Sequence, residues 1–158
     1  MMEKDDVLLL INKSLKKIYG KDIYLVEKRV SERCIVSKFA NYFSQFAIKE
    51  IPEYDVDVEY NRQKANTKEL DLKPICVDFI VHKRGKNDNL IAIEFKPYWN
   101  KNQKAKENDE RRIKKLCEPE YGYEYQYGFT IMFGKTLDTT IVKIYDHNIK
   151  NLKKIDIF

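Results

Sequence analysis

The order of elements along the chain predicts an α/β (α+β) protein, a sheet flanked by helices, and three observations carry that expectation. Two amphipathic helical stretches come first, a pair of charged-but-apolar strands stands mid-chain, and a third helical stretch separates that pair from two further strands. Val7, Leu8, Ile11, Leu15 and Ile18 recur at helical spacing and Gly20 is a natural stop, giving an accessory N-terminal helix over about 4–19. A second helix is expected over about 26–49, ending before Pro52, with Val36, Phe39, Phe43 and Phe46 as its buried stripe. One turn back along that stripe lies Glu32.

"YDVDVEYNR" alternates Val56, Val58 and Tyr60 with polar residues, the period of a strand with one wet face, and "QKANTKELDLK" after it reads as a loop. "ICVDFIVH" and "LIAIEFK" are apolar on both faces except for Asp78, Glu94 and Lys96, and "KRGKNDN" between them suits a tight reversal. Residues 104–117 place Ile113 and Leu116 on one helical stripe, stopped by Pro119. "YGYEYQYGFTIMFGK" and "TTIVKIYDH" complete the sheet with two strands.

A chain of 158 residues, 43% of them hydrophobic and without repeats or low-complexity linkers, is expected to form a single domain, 1–158, with its own core. A formal charge of +5 favours polyanionic partners without naming one. Cys34, Cys76 and Cys117 are odd in number and lack any C-x-x-C pair, which argues against a disulfide framework or zinc site and for a reducing compartment. "MMEKDDVLLLINKS" is acidic where a secretory leader is basic, and its apolar run is too short to span a bilayer, so the cytoplasm is the expected location and no membrane partner is expected.

The charges in the central strands need a physical reason. An antiparallel hairpin turning about Lys86 sets Asp78 directly opposite Glu94, and like charges so placed repel. A divalent cation, Mg²⁺ or Mn²⁺, would compensate, because both prefer oxygen ligands. Lys96, two residues beyond Glu94, is aimed at the same face by strand alternation. Two acids, a cation and an ammonium can activate water and neutralise charge at phosphorus, which is the chemistry of phosphodiester hydrolysis.

Asp78 followed across a short hairpin by Glu94-Phe95-Lys96 resembles the PD-(D/E)XK nuclease superfamily, and the elements over about 26–133 follow its restriction-endonuclease-like αβββαβ order. The resemblance implies a mixed central sheet, with residues 1–20 as an added helix, and metal-dependent cleavage of nucleic acid, DNA ahead of RNA. It places catalytic roles on Asp78, Glu94, Lys96 and Glu32, and it adds the Phe95 carbonyl to Asp78 and Glu94 as a metal ligand. It also points to a homodimer, since a small core of this kind commonly cuts duplexes in pairs. Val77 stands where the name-giving pattern has proline, with Pro74 nearby.

Ordinary readings compete with these. Asp78, Glu94 and Lys96 could form a cross-strand ion pair in a half-exposed sheet, and Glu32 could simply complement a helix dipole. Asp109 stands four and seven residues before Ile113 and Leu116, a spacing that turns it toward the sheet, where it would orient Lys96 or a bound water; a helix-start acid is the plainer role. Arg62 could grip phosphate or merely edge a wet strand. Tyr121, Tyr123, Tyr125 and Tyr127 alternate, so they are expected on one strand face, as packing beneath a helix or as a stacking platform. "KNQKAKENDERRIKK" reads as a solvated helix face whose basic side could follow a phosphate backbone. His82 and His147 lack ligand spacing or a nucleophile and are given no catalytic role. A noncatalytic nucleic-acid-binding module and a protein-interaction domain are the alternative functions.

Overall fold

The computed structural model describes residues 2–63, 66–146 and 151–156, and of Asp146 only the backbone. His147 lies outside the described residues. Six strands form one mixed sheet: β1 (Asp55–Tyr60), β2 (Val77–His82), β3 (Asn89–Pro97), β4 (Tyr127–Phe133), β5 (Ile141–Asp146) and β6 (Lys153–Ile155), in spatial order 1 to 6. β3 and β4 run parallel because helix α4 (Gln103–Cys117) carries the chain back between them; the other neighbours are antiparallel.

Helices α1 (Lys4–Lys21) and α3 (Glu32–Glu50) cover one face of the sheet. Val7, Leu10, Ile11, Leu15 and Ile18 of α1 join Ile35, Phe39 and Phe43 of α3 and Phe79, Ile93 and Phe95 of the sheet in one buried cluster, so the N-terminal helix is packed into the core. Phe39 meets Phe79 and Phe95 edge-on with centroids 5.2 and 5.0 Å apart, the favoured geometry for aromatic pairs. α4 covers the other face, where Ile113, Leu116 and Cys117 pack with Ile80, Ala92, Tyr123 and Tyr125.

The helix expected over about 26–49 is broken. A short α2 (Ile23–Glu27) ends at Lys28, Arg29 turns left-handed at φ 52°, and α3 restarts with Ser31 as its N-cap, the hydroxyl accepting from Cys34 N at 3.4 Å. The break makes Glu32 the first residue of α3. Ala47 is fully within the stripe, whereas Phe46 is only partly buried. The expected loop after β1 contains two small antiparallel ladders, Arg62–Gln63 with Asn66–Thr67 and Glu69–Leu70 with Lys73–Pro74. β6 adds a strand beyond the two expected after α4.

The alternating tyrosines do not share a strand face. Tyr121 closes a 3-10 turn, Gly122 and Glu124 take left-handed backbone (φ 72° and 51°), and β4 begins only at Tyr127. These reversals send Tyr123 and Tyr125 into the cluster under α4 while Tyr127 joins the opposite one. No helix among the described residues is long and apolar enough to cross a membrane.

Candidate functional site

The hairpin register sets the site. Phe79 faces Ile93, Ile80 faces Ala92 and Val81 faces Ile91, and a bulge shifts the pairing only at His82. One more residue of that register places Asp78 against Glu94. The regular ladder stops there because the Phe95 N–H is taken by Asp78 Oδ2 at 2.8 Å. Glu94 and Lys96 alternate with Phe95, so while Phe95 enters the cluster under α3, the two charged side chains point to the α4 face.

Glu94 is 2% exposed, and Arg112 Nη1 of α4 donates to its Oε1 at 2.8 Å. Burial pushes the Glu94 carboxyl well above the ordinary range. The Asp78 charge and a hydrogen bond between the two carboxyls add to the rise, and Arg112 only partly opposes it. The two carboxyls are therefore within reach of each other at the end of the hairpin, Asp78 bordering the cleft beside α3 and Glu94 the one beneath α4.

Lys96 Nζ gathers the remaining groups: 3.0 Å to the Phe95 carbonyl, 2.9 Å to Asp109 Oδ2 and 3.4 Å to Glu32 Oε1. Burial works against its charge, but Asp109, Glu32 and Asp78 outweigh it and hold the pKa above the usual lysine value. Burial also raises Glu32 and Asp109, with Lys96 opposing in each case. The contact of Lys96 with the buried Asp109 Oδ2 is a close ion pair, and it is what offsets the burial of that oxygen.

Two clefts reach this cluster from opposite sides. One of about 360 Å³ lies between α3 and β1 and is lined by Glu32, Arg33, Ser37, Glu59, Cys76 and Asp78. The other, about 220 Å³, lies under α4 and exposes Glu94, Lys96 and Asp109. Arg62 is exposed and borders a separate hollow with Lys68 and His82, so it is not brought to the cluster. His82 pairs with Asp57, Nε2 to Oδ2 at 2.9 Å. Arg112 belongs to the site but was not singled out from the sequence; it follows Asp109 by three residues on the same face of α4, and that spacing was the available signal.

Among the described residues no three His, Cys, Asp or Glu side chains are grouped so as to hold a metal ion. The oxygens at hand are the Asp78 and Glu94 carboxylates and the Phe95 carbonyl, all hard donors of the kind Mg²⁺ and Mn²⁺ take, with water completing their shells. In donor chemistry they fit: burial first and the Asp78 charge second raise the Glu94 pKa, and a divalent cation would relieve the repulsion between the two acids. Two basic groups stand among them, Arg112 on Glu94 and Lys96 on the Phe95 carbonyl. Searches against family models, curated proteins and solved structures return no match to this chain.

Proposed function

We propose that this chain is a metal-dependent nuclease of the PD-(D/E)XK type, hydrolysing phosphodiester bonds of nucleic acid, with DNA the first candidate substrate. The observation that carries the reading is the gathering of Asp78, Glu94 and Lys96 at the end of the central hairpin, with Lys96 held by Asp109 and Glu32. The succession α3, β1, β2, β3, α4, β4 supports it as well, being the αβββαβ order of a restriction-endonuclease-like core.

In this reading Asp78, Glu94 and the Phe95 carbonyl hold Mg²⁺ or Mn²⁺. The bound cation supplies Lewis-acid polarisation of the phosphoryl group and a more acidic water. Lys96 stays protonated through its acidic neighbours and neutralises charge that develops on the phosphoryl oxygens. Asp109 and Glu32 fix the direction of its ammonium, and Arg112 keeps the buried Glu94 side chain aimed at Asp78. A homodimer would let two such sites address the two strands of a duplex.

The second reading, a noncatalytic nucleic-acid-binding module on the same fold, is favoured by one observation: Arg112 already supplies a cation to Glu94. Metal titration separates the two. Calorimetry with Mn²⁺ is expected to show binding by the wild type, a loss of roughly ten-fold or more in Asp78→Asn and Glu94→Gln, and near-wild-type affinity in Lys96→Met. Equal Mn²⁺ affinity in wild type and Asp78→Asn would leave the binding module as the better account.

A further inference from the structure

α4 and the sheet form a wedge. Its tight end is at Gly128, where a Cβ would come within 2.5 Å of Ile113 Cγ2 and 2.7 Å of Cys117 Sγ. Its open end lies under the first turns of α4, because "QKAKENDE" offers no apolar side chain larger than Ala105 to fill the space. Met132 and Ile141, on the sheet beneath, therefore remain only partly covered. The gap is the cleft of about 220 Å³, with an apolar floor of Met132 and Ile141, polar walls from Gln103, Asp109 and Thr130, and Lys106 and Lys143 at the rim.

That volume is below the roughly 300–1,000 Å³ of pockets for drug-sized molecules, while the combination of an apolar floor with a few convergent polar groups is that of a specific site. Gln103, which donates to Glu107 at 3.2 Å, carries an amide able to meet a base edge with both a donor and an acceptor. Asp109 Oδ2 is already engaged by Lys96 at 2.9 Å, so the acid adds a fixed charge to the wall. Lys143 is paired with Glu110 at 2.5 Å, whereas Lys106 makes no ion pair among the described residues and is available to a phosphate. Glu94 and Lys96 border the same cleft, so its occupant lies beside the reacting centre.

We propose that this cleft accepts one unpaired nucleobase next to the phosphodiester to be cut, which makes single-stranded or flap-bearing nucleic acid the substrate class. The inference rests on the nuclease reading above. A base in a duplex is stacked and paired, and it reaches such a pocket only after extrusion at a cost in unstacking, so a free strand is the better ligand.

The test is fluorescence anisotropy with labelled single strands of DNA and RNA and the matched DNA duplex, in chelator so that nothing is cleaved. Wild-type protein is expected to bind a single strand more tightly than the duplex by roughly ten-fold or more, the scale of the unstacking and unpairing that a duplex base has to undergo. Gln103→Ala, at the exposed start of α4, and Met132→Trp, which fills the floor, should each remove most of that preference while leaving duplex affinity in place. Gln103→Ala carries the test if Met132→Trp melts early. Equal affinity for strand and duplex in the wild type, or an unchanged preference in Gln103→Ala, overturns the base pocket. A parallel run with Mg²⁺ separates the two claims: cleavage without strand preference removes the pocket and keeps the nuclease, while strand preference without cleavage keeps the pocket and removes the nuclease.

Discussion

Lys68 is 2% exposed and has no carboxylate partner among the described residues; its ammonium lies 5.6, 5.2 and 4.9 Å from the ring centroids of Tyr60, Tyr123 and Tyr125 and donates to Tyr125 Oη at 2.7 Å. The rings and the hydroxyl make its burial tolerable, yet burial still lowers the pKa from 10.5 to about 8. Between those values the unfolded chain binds more protons than the folded one, so stability rises with pH through the window. The full rise is on the order of 3 kcal/mol. Urea unfolding from pH about 8 to about 10 should show wild type gaining on Lys68→Met, which keeps the stem and removes the amine. Burial raises Tyr123 and Tyr125, which titrate in the opposite sense in both proteins, so the difference between them isolates Lys68. A constant difference would mean that Lys68 keeps its proton in the folded protein across the window. Such a cage could not be read from the sequence, since its tyrosines come from two separate segments. Asp78, Glu94 and Lys96 could, because a strand alternates with period two and a charge in an apolar run is conspicuous. Arg112 was masked by its setting in "DERRIKK", where one more basic residue looks solvated.

α4 owes its position to a glycine. Gly128 admits Ile113 and Cys117 against the sheet, and the polar first turns of the same helix border the cleft beside Glu94 and Lys96. Gly128→Ala is expected to cost about 1–3 kcal/mol, because a methyl group at 2.5 Å from Ile113 forces the helix outward. Thermal melting checks it; an unchanged midpoint would mean that α4 does not rest on that contact. The helices and the central hairpin followed from periodicity. What periodicity missed were reversals of backbone hand: Arg29 divides the second helix, and Gly122 with Glu124 divides the tyrosine run between two cores. A left-handed residue other than glycine has no signature in composition, so a continuous helix and a continuous strand were the natural expectations.

The whole molecule sets a six-stranded mixed sheet between two helical layers, and the acids, Lys96 and Arg112 meet where β2, β3, α3 and α4 converge. Its charge of +5 suits a polyanionic ligand, and the two clefts leave that convergence open from both sides. The order of elements was legible because each long element carries its own period; the small ladders after β1 and the short β6 were not, being too brief to show one. The account turns on one quantity, the Mg²⁺-dependent rate at which the protein cuts a labelled oligonucleotide, measured for wild type beside Lys96→Met. The prediction is cleavage by wild type that stops with chelator and falls by roughly two to three orders of magnitude in Lys96→Met. Purified wild type that cuts neither single-stranded DNA, duplex DNA nor RNA, or a Lys96→Met protein as fast as wild type, would contradict it.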